Sequence, residues 1–118
     1  MMNSNLEEEV CELHSRLCEG LADPRRILIL YALADHARNV TDLSEELNIP
    51  QPTVSRHLKN LRERGIVNSR REAQSIYYTI ADPRIIEALD LLRQVLADML
   101  ESQASLARSV TEITHSQD

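Results

Sequence analysis

The sequence predicts a mainly α-helical protein with one small β-hairpin. Along most of the 118 residues, apolar side chains recur every three or four positions, which is the period of a helix buried on one side. Residues 66–80 alone switch to the period of two that is typical of strands. The chain also has two glycines, four prolines and few β-branched runs, and this composition favours helix over sheet.

The composition also limits where the protein works. Phe and Trp are absent, so the core of a single domain of this length must be built from aliphatic side chains. No apolar run approaches the ~20 residues that a bilayer span needs, and the first ten residues lack the features of a secretion signal. We therefore expect a cytoplasmic protein with no membrane partner, in which Cys11 and Cys18 are reduced.

Two helices are predicted in the first third of the chain. The first spans residues 5–19 and should end at Gly20, with one apolar stripe formed by Leu6, Val10, Leu13, Leu17 and Leu21. The second begins at "ADPRR", where Asp23 can cap the helix and Pro24 occupies its first position. It continues through "ILILYAL", which is apolar nearly all round and should be the buried centre of the domain.

A helix-turn-helix follows the second helix. "TDLSEEL", residues 41–47, forms a short helix for which Thr41 is the predicted cap. Asn48, Ile49 and Pro50 then turn the chain into a second helix, which Gly65 closes. The next residues read as two strands, "IVNSRR" and "SIYYTI", with Ile76, Tyr78 and Ile80 on one face and Tyr77 and Thr79 on the other. Two strands after a helix-turn-helix make a winged helix, here residues 23–82.

The C-terminal segment, residues 83–114, is predicted to be a dimerisation helix. Its apolar residues alternate steps of four and three for about four heptads, and a domain of this size cannot cover such a stripe alone. We therefore predict a single winged-helix domain over residues 1–118, which forms a homodimer through its N-terminal and C-terminal helices. The predicted interface residues are Leu6, Leu13, Leu17, Leu89, Leu92, Leu96 and Met99.

Charge is unevenly distributed along the chain. The net charge is −6, yet residues 50–84 hold seven basic and three acidic side chains. A local basic stripe on an acidic body is the usual electrostatic footprint of a nucleic-acid-binding protein. In "QPTVSRHLKNLRERG" small polar and basic groups are concentrated at the start of the second helix of the helix-turn-helix, which is the part that enters the DNA major groove.

These residues predict contacts with duplex DNA. Arg56 suits bidentate hydrogen bonding to guanine, and Gln51 suits adenine. Lys59 and Arg62 should meet the DNA backbone, while Arg70 and Arg71 near the wing tip should grip phosphates or a minor groove. Two recognition helices related by a twofold axis predict an operator that is an imperfect palindrome. The full predicted DNA-binding set is Gln51, Thr53, Ser55, Arg56, His57, Lys59, Arg62, Arg70 and Arg71.

Other classes of function fit the sequence less well. An enzyme needs a nucleophile, paired carboxylates or a cofactor loop, and none of these motifs is found. RNA or single-stranded DNA binding usually relies on aromatic platforms, which three tyrosines hardly supply. The remaining alternatives are a winged helix that binds other proteins and a regulator with no small-molecule effector.

The stretch from "LADPRR" through "QPTVSRHLKNLRERGIV" to "IYYTIADP" resembles the ArsR/SmtB family of bacterial winged-helix repressors. The resemblance implies a homodimer that leaves its operator when an inducer binds, with Gln51, Ser55 and Arg56 at positions that approach DNA. Pro52 departs from the Ser of many relatives, and Ala73 stands where the wing often turns on Gly. The thiols and dimer-helix histidines of the family's best-known metal sites are missing, so we predict no such metal site.

One further motif, "CELHSRLC", places Cys11, His14 and Cys18 within about 60° of one another on an ideal helix. The two thiols are ~10.5 Å apart along its axis, too far for a disulfide or a shared ion within one chain. Across two antiparallel first helices they could form a disulfide, a persulfide bridge or a site for a thiophilic metalloid such as arsenite. The alternative is that both cysteines are packing residues. No cofactor is otherwise predicted.

Overall fold

A computed structural model describes residues 4–116, with side chains up to Glu112, so the ends of the predicted 1–118 domain lie outside the described residues. The chain divides after Pro83 into two compact units. The elements are α1 (Ser4–Leu13), a π-helical turn (His14–Cys18), α2 (Pro24–Leu33), α3 (Val40–Leu47), α4 (Gln51–Glu63), β1 (Val67–Glu72), β2 (Ser75–Ile80) and α5 (Arg84–Ser116). The predicted mainly helical winged helix-turn-helix with one hairpin is confirmed.

The core of the first unit is aliphatic, as the absence of Phe and Trp requires. α2, α3, α4 and β1 all contribute to it, and its largest fully buried side chains are Ile29, Leu30, Leu43, Val54, Leu58, Leu61, Ile66 and Val67. The prediction that α2 is buried nearly all round is wrong at Leu28, whose side chain is half exposed. α2 is therefore exposed on one side even within its apolar segment "ILILYAL".

Local capping chemistry sets the helix boundaries. The Asp23 side chain accepts a hydrogen bond from the Arg25 backbone N–H at 2.8 Å, so Asp23 caps α2 as predicted. The cap of α3 is Asn39, which accepts from Asp42 N–H at 2.8 Å, so the prediction of Thr41 is wrong. Thr41 lies inside the helix, which starts at Val40. Gly65 follows α4 with a φ of 80°, the left-handed conformation that closes a helix.

The predicted helix over residues 5–19 is interrupted. In an α-helix the Ser15 carbonyl would accept from Glu19 N–H. Here it accepts instead from the Arg64 guanidinium, and Glu19 N–H donates to the His14 carbonyl at 2.9 Å. That five-residue spacing is the hydrogen bond of a π-helix. The interruption at His14–Cys18 therefore follows from a contact with the end of α4.

Gly20 lies two residues after the π-helical turn and is buried. Its φ is not in the left-handed region, so it does not act as the helix cap that its position suggested. A Cβ at this position would lie 2.6 Å from Ile66 Cδ1 and 3.0 Å from Arg64 Cδ. Glycine is required here because the backbone passes so close to the end of α4.

The hairpin pairs β1 and β2 antiparallel, from Val67 with Ile80 to Glu72 with Ser75. Ala73 in the connecting turn has a φ of 57°, which costs a residue with a Cβ roughly 1 kcal/mol relative to glycine. Arg38 pairs with Tyr78 through two backbone hydrogen bonds and extends the sheet by one short bridge. The predicted alternation of burial along β2 is not seen, since every residue from 77 to 80 is half-buried.

The second unit is the single helix α5, 33 residues long, which covers the predicted dimerisation segment. Leu89 is buried, with 5% of its surface exposed, whereas the other predicted interface residues of this helix are exposed. The exposed apolar side chains are Leu91, Leu92, Val95, Leu96, Met99, Leu100, Leu106 and Val110. In the part of the chain that the structure describes, every helix is either too short or not apolar enough to cross a bilayer.

Candidate DNA-recognition surface

The turn before α4 fixes where this helix begins. Asn48 adopts the left-handed conformation with a φ of 55° and ends α3. Ile49 is buried, and its carbonyl accepts a hydrogen bond from Ser44 Oγ at 2.5 Å. Pro50 accepts backbone hydrogen bonds from Thr53 and Val54, both at 3.0 Å. The turn between the two helices is therefore held by a buried side chain as well as by its backbone.

The N-terminus of α4 is favourable for an anionic partner. Pro50 is its N-cap, no side chain caps it, and its first turn contains no acidic residue. Pro50 and Pro52 carry no N–H, and the Thr53 and Val54 N–H groups donate to the Pro50 carbonyl, so this end has few free backbone donors. The helix dipole still leaves partial positive charge there, which favours a phosphate group.

The two long faces of α4 differ sharply. One face, formed by Val54, His57, Leu58 and Leu61, is buried against the core. The opposite face, which we call the reading face, is exposed along the whole helix. It consists of Gln51, Ser55, Arg56, Lys59 and Arg62, with Pro52 and Glu63 also exposed beside them.

The cations of the reading face are available to a partner. Among the described residues, no acidic side chain forms an ion pair with Arg56, Lys59 or Arg62. In the wing, Arg70 and Arg71 are exposed, but Arg70 already pairs with Glu72 at 3.3 Å. A phosphate contact by Arg70 would have to compete with that carboxylate, whereas the reading face presents its charges unpaired.

Two residues of the predicted DNA-binding set do not lie on the reading face. Thr53 is half-buried, and His57 is only 4% exposed. The prediction that His57 contacts DNA is wrong, because its ring lies on the buried face of α4. The sequence spacing already indicated that His57 is buried, since position 57 lies on the same side of the helix as the apolar positions 54, 58 and 61.

His57 forms a polar cluster with Arg26 and Asp23 on the buried side of α4. Its Nδ1 lies 3.3 Å from an Arg26 guanidinium nitrogen, and its Nε2 lies 3.7 Å from Asp23 Oδ2. Because arginine has only donors, Nδ1 must accept this hydrogen bond, so Nε2 carries the proton of a neutral ring. Burial lowers the pKa of His57, while the charge of Asp23 opposes that shift. The hydrogen bond from the Arg25 backbone N–H lowers the pKa of Asp23.

Two arginines connect α4 to the segment before α2, and sequence reasoning did not predict this role for either. Arg26 donates to the Gly20 carbonyl at 2.7 Å and to the Glu19 carbonyl at 3.0 Å, besides its contact with His57. Arg64 contacts the Ser15 carbonyl, donates to Asn60 Oδ1 at 3.0 Å and pairs with Glu19 at 3.5 Å. The contact of Arg26 with His57 spans 31 residues and that of Arg64 with Ser15 spans 49, so no local pattern predicts them.

Cys11 and Cys18 are both exposed in the single chain, so neither packs in its core. The π-helical turn lies between them, so the angles of an ideal helix do not apply to their relative positions. His14 lies 3.7 Å from Glu19 and is also exposed. Within residues 4–116, no group of three or more His, Cys, Asp or Glu side chains is arranged to hold a metal ion.

Comparison with known proteins identifies the family. The model for bacterial regulatory proteins of the arsR family matches residues 23–69, from the start of α2 into β1. The transcriptional activator HlyU of Vibrio cholerae is 37% identical over 79 residues, which cover 67% of this chain and 73% of HlyU. The chain belongs to the ArsR family. Members of the ArsR family are transcriptional regulators, so this protein is a regulator and not an enzyme.

Other relatives agree with this assignment. The biofilm growth-associated repressor of Agrobacterium fabrum is 45% identical over 76 residues, covering 62% of this chain and 65% of the repressor. A homodimeric winged helix-turn-helix DNA-binding domain from Mycobacterium bovis has a TM-score of 0.72 and 28% identity, and covers 85% of this chain and 92% of that domain. The predicted family and fold are therefore confirmed from both sequence and structure.

Proposed function

We propose that this ArsR-family protein is a homodimeric regulator that binds operator DNA through the reading face of α4. The unpaired Arg56, Lys59 and Arg62 on that face are the observation that carries the proposal. Exposed cations with no intramolecular partner suit the phosphates and base edges of a duplex. A winged helix that bound another protein would use three unpaired cations on one helix face only with an acidic partner.

Each residue of the reading face has a distinct role in this proposal. Gln51, Ser55 and Arg56 lie in the first two turns of α4 and enter the major groove, where Arg56 hydrogen-bonds a guanine. Lys59 and Arg62 lie further along the helix and contact the phosphate backbone. Arg71 and Arg70 in the wing add phosphate or minor-groove contacts. Thr53 is half-buried, so its role is limited to the edge of this surface.

The homodimer is supported by exposed apolar side chains on two separate helices. On α1, Leu6, Val10 and Leu13 are exposed, and on α5 a longer apolar series is exposed. Exposed apolar series of this length mark an interaction surface, and a second copy of the chain supplies matching ones. The related Mycobacterium bovis domain is homodimeric. A twofold dimer would read an imperfect palindrome with half-sites about 34 Å apart, in the cytoplasm where bacterial DNA lies.

We propose repression as the direction of regulation. The relatives include both an activator and a repressor, so family membership alone leaves the direction open. A small dimer bound across a promoter blocks access by RNA polymerase through its volume alone. Activation would require a further surface that contacts the polymerase. In vitro transcription from a template that carries the operator should therefore decrease as the protein is added, and an increase would overturn this part of the proposal.

We further propose that Cys11 and Cys18 respond to a thiol-reactive inducer. Both thiols are exposed, and Cys18 closes the π-helical turn whose neighbouring carbonyls contact Arg26 and Arg64. One thiol from each protomer would join in a disulfide, with two protons and two electrons passing to an oxidant such as a polysulfide. Arsenite is the alternative inducer, because it binds thiols directly. Cys11→Ser and Cys18→Ser should each abolish release from the operator by these reagents, and unchanged release would remove the cysteines from the mechanism.

A mobility-shift assay on a duplex selected from random sequence by the wild-type protein tests the DNA-binding proposal. Arg56→Ala should cost on the order of 1–3 kcal/mol on that duplex and relax the preference at one base pair. Lys59→Ala should weaken binding to all sequences alike and lower the salt slope by roughly one. Arg16→Ala, which removes the same charge from an exposed position in the π-helical turn, is the control and should change neither quantity. If no duplex is selected even in dilute salt, the proposal fails.

A further inference from the structure

The polar cluster of His57, Arg26 and Asp23 lies on the buried side of α4, where it cannot be part of the reading face. His57 is the buried polar side chain of the described core, and it lies next to Arg56 in the recognition helix. Placing a polar ring in such a position costs stability unless its nitrogens are satisfied. A leucine at this position would continue the apolar stripe of Val54, Leu58 and Leu61 without that cost. The cluster is therefore not needed to fill the core.

Arg26 is the centre of this cluster. Its guanidinium reaches the carbonyls of Gly20 and Glu19 and the Nδ1 of His57, at 2.7, 3.0 and 3.3 Å. The planar guanidinium has a fixed donor geometry, so these three acceptors cannot shift independently of one another. Arg26 itself belongs to α2, which is anchored by the fully buried Ile29 and Leu30. One side chain thus connects α2, the segment after the π-helical turn and the recognition helix.

The Arg26–His57 contact is placed so that it responds to a rotation of α4, and such a rotation would change the direction of every side chain on the reading face. His57 lies two residues after Ser55, in the middle of α4, so a rotation of the helix about its axis would move the His57 ring sideways. The buried side chains of Val54, Leu58 and Leu61 hold this face of the helix against the core, but their contacts are not directional and leave small rotations less tightly defined. A hydrogen bond depends on direction as well as distance, so the Arg26–His57 contact adds a restraint on the rotation that apolar packing does not provide.

From these contacts we propose that Arg26 is a positioning residue that fixes the rotation of the recognition helix through His57. It does not touch DNA in this account. It holds α4 so that Gln51, Ser55 and Arg56 point into the groove together. The inference rests on the proposed DNA-binding function, and it adds the residue that makes binding selective for one sequence.

The test compares binding of Arg26→Met to the selected operator duplex and to a random duplex of equal length and charge. We expect affinity for the operator to fall at least tenfold, while affinity for the random duplex changes less than threefold, because the cations of the reading face remain. Arg25→Met is the matched control. Arg25 is the neighbouring arginine, half exposed and paired with Asp23 at 3.7 Å, and its loss should leave the ratio of the two affinities unchanged.

A double-mutant cycle with His57→Leu separates positioning from general packing. If Arg26 acts through His57, the double variant Arg26→Met/His57→Leu should lose no more operator preference than Arg26→Met alone. Arg26→Lys keeps the charge but cannot contact all three acceptors, so it should not restore the preference. Arg26→Lys also replaces Arg26→Met in the comparison of the two duplexes if Arg26→Met fails to fold. Additive losses, full rescue by lysine, or equal losses on both duplexes would overturn the proposal.

The outcomes also distinguish this proposal from the proposed function beneath it. A wild-type protein that shows no preference for any duplex would disprove operator binding, and with it the positioning role. A wild-type protein with a clear preference that Arg26→Met retains would disprove only the role of Arg26. Thermal unfolding of each variant, measured alongside, ensures that binding is compared between folded proteins.

Discussion

α1 and α4 are both amphipathic helices, but they differ in where their apolar stripes end up. The stripe of α4 is buried, with Val54, Leu58 and Leu61 fully covered by the same chain. The stripe of α1 remains exposed, with Leu13 still 48% accessible. The apolar stripe of α4 is covered by its own chain, which leaves the opposite face exposed for the DNA contact proposed above. The apolar stripe of α1 is not covered in the single chain, and we propose that a second copy covers it.

The largest expected effect concerns the buried stripe. Leu58→Ala should lower the free energy of unfolding by ~2–5 kcal/mol, because it leaves a cavity in the core. Leu13→Ala on α1 is the matched control and should cost less than about 1 kcal/mol in the dissociated chain. Urea unfolding at a series of protein concentrations separates folding from association. Equal losses of unfolding free energy for the two variants at low protein concentration would contradict the proposed difference between α1 and α4.

The next effect concerns association through the exposed apolar residues of α5. Leu96→Glu should raise the dissociation constant of the dimer by at least about a hundredfold, on the order of 3 kcal/mol, because a charge would be buried without a partner. Gln94→Glu adds the same charge at an exposed polar position of the same helix and should change it little. Analytical ultracentrifugation measures both. A Leu96→Glu protein that dimerises like the wild type would place the interface elsewhere.

A smaller effect is expected where the segment after α1 meets the end of α4. Gly20→Ala should cost ~1–3 kcal/mol of stability, because the new Cβ would lie 2.6 Å from the Cδ1 of Ile66, which is fully buried and cannot easily move. Thermal unfolding measures this cost. Ile66→Val in the Gly20→Ala background, which removes the contacting methyl, should recover part of it. No recovery would mean that the strain lies in another contact.

The last prediction concerns pH and the buried face of α4. Burial lowers the pKa of His57 below its ordinary 6.5, so the unfolded chain binds this proton at a higher pH than the folded chain does. Its contribution to stability is fully present above that ordinary value and is lost as the pH falls toward the lower, folded pKa. Urea unfolding between about pH 7.5 and pH 5.5 should therefore show a smaller loss for His57→Asn than for the wild type. An identical loss would exclude His57 as the titrating group.

The helix-turn-helix and the hairpin were predictable because their signals are local. Asp23 and Pro24 start α2, Gly65 closes α4, and the alternation in residues 75–80 identifies a strand. The cap of α3 was assigned wrongly because Asn39 and Thr41 are both capping residues two positions apart. Only the hydrogen bond to Asp42 N–H decides between them.

The π-helical turn and the His57 cluster were not predicted, for different physical reasons. The turn depends on Arg64, which lies 49 residues away from Ser15 in the sequence, and such a contact leaves no periodic trace. The position of His57 was visible in the helical spacing, but its polar character suggested a DNA contact instead. A polar residue can occupy a core position when a partner satisfies it, and Arg26 satisfies the Nδ1 of His57, although its Nε2 has no hydrogen-bond partner among the described residues.

NMR titration of the isotope-labelled protein with its selected operator duplex tests the central claim most directly. If the reading face binds DNA, the largest amide shift changes should occur at Gln51, Ser55 and Arg56 and in the wing around Arg71. Amides of α1 around Val10 should change little. Large changes confined to α1, with α4 unaffected, would contradict the account.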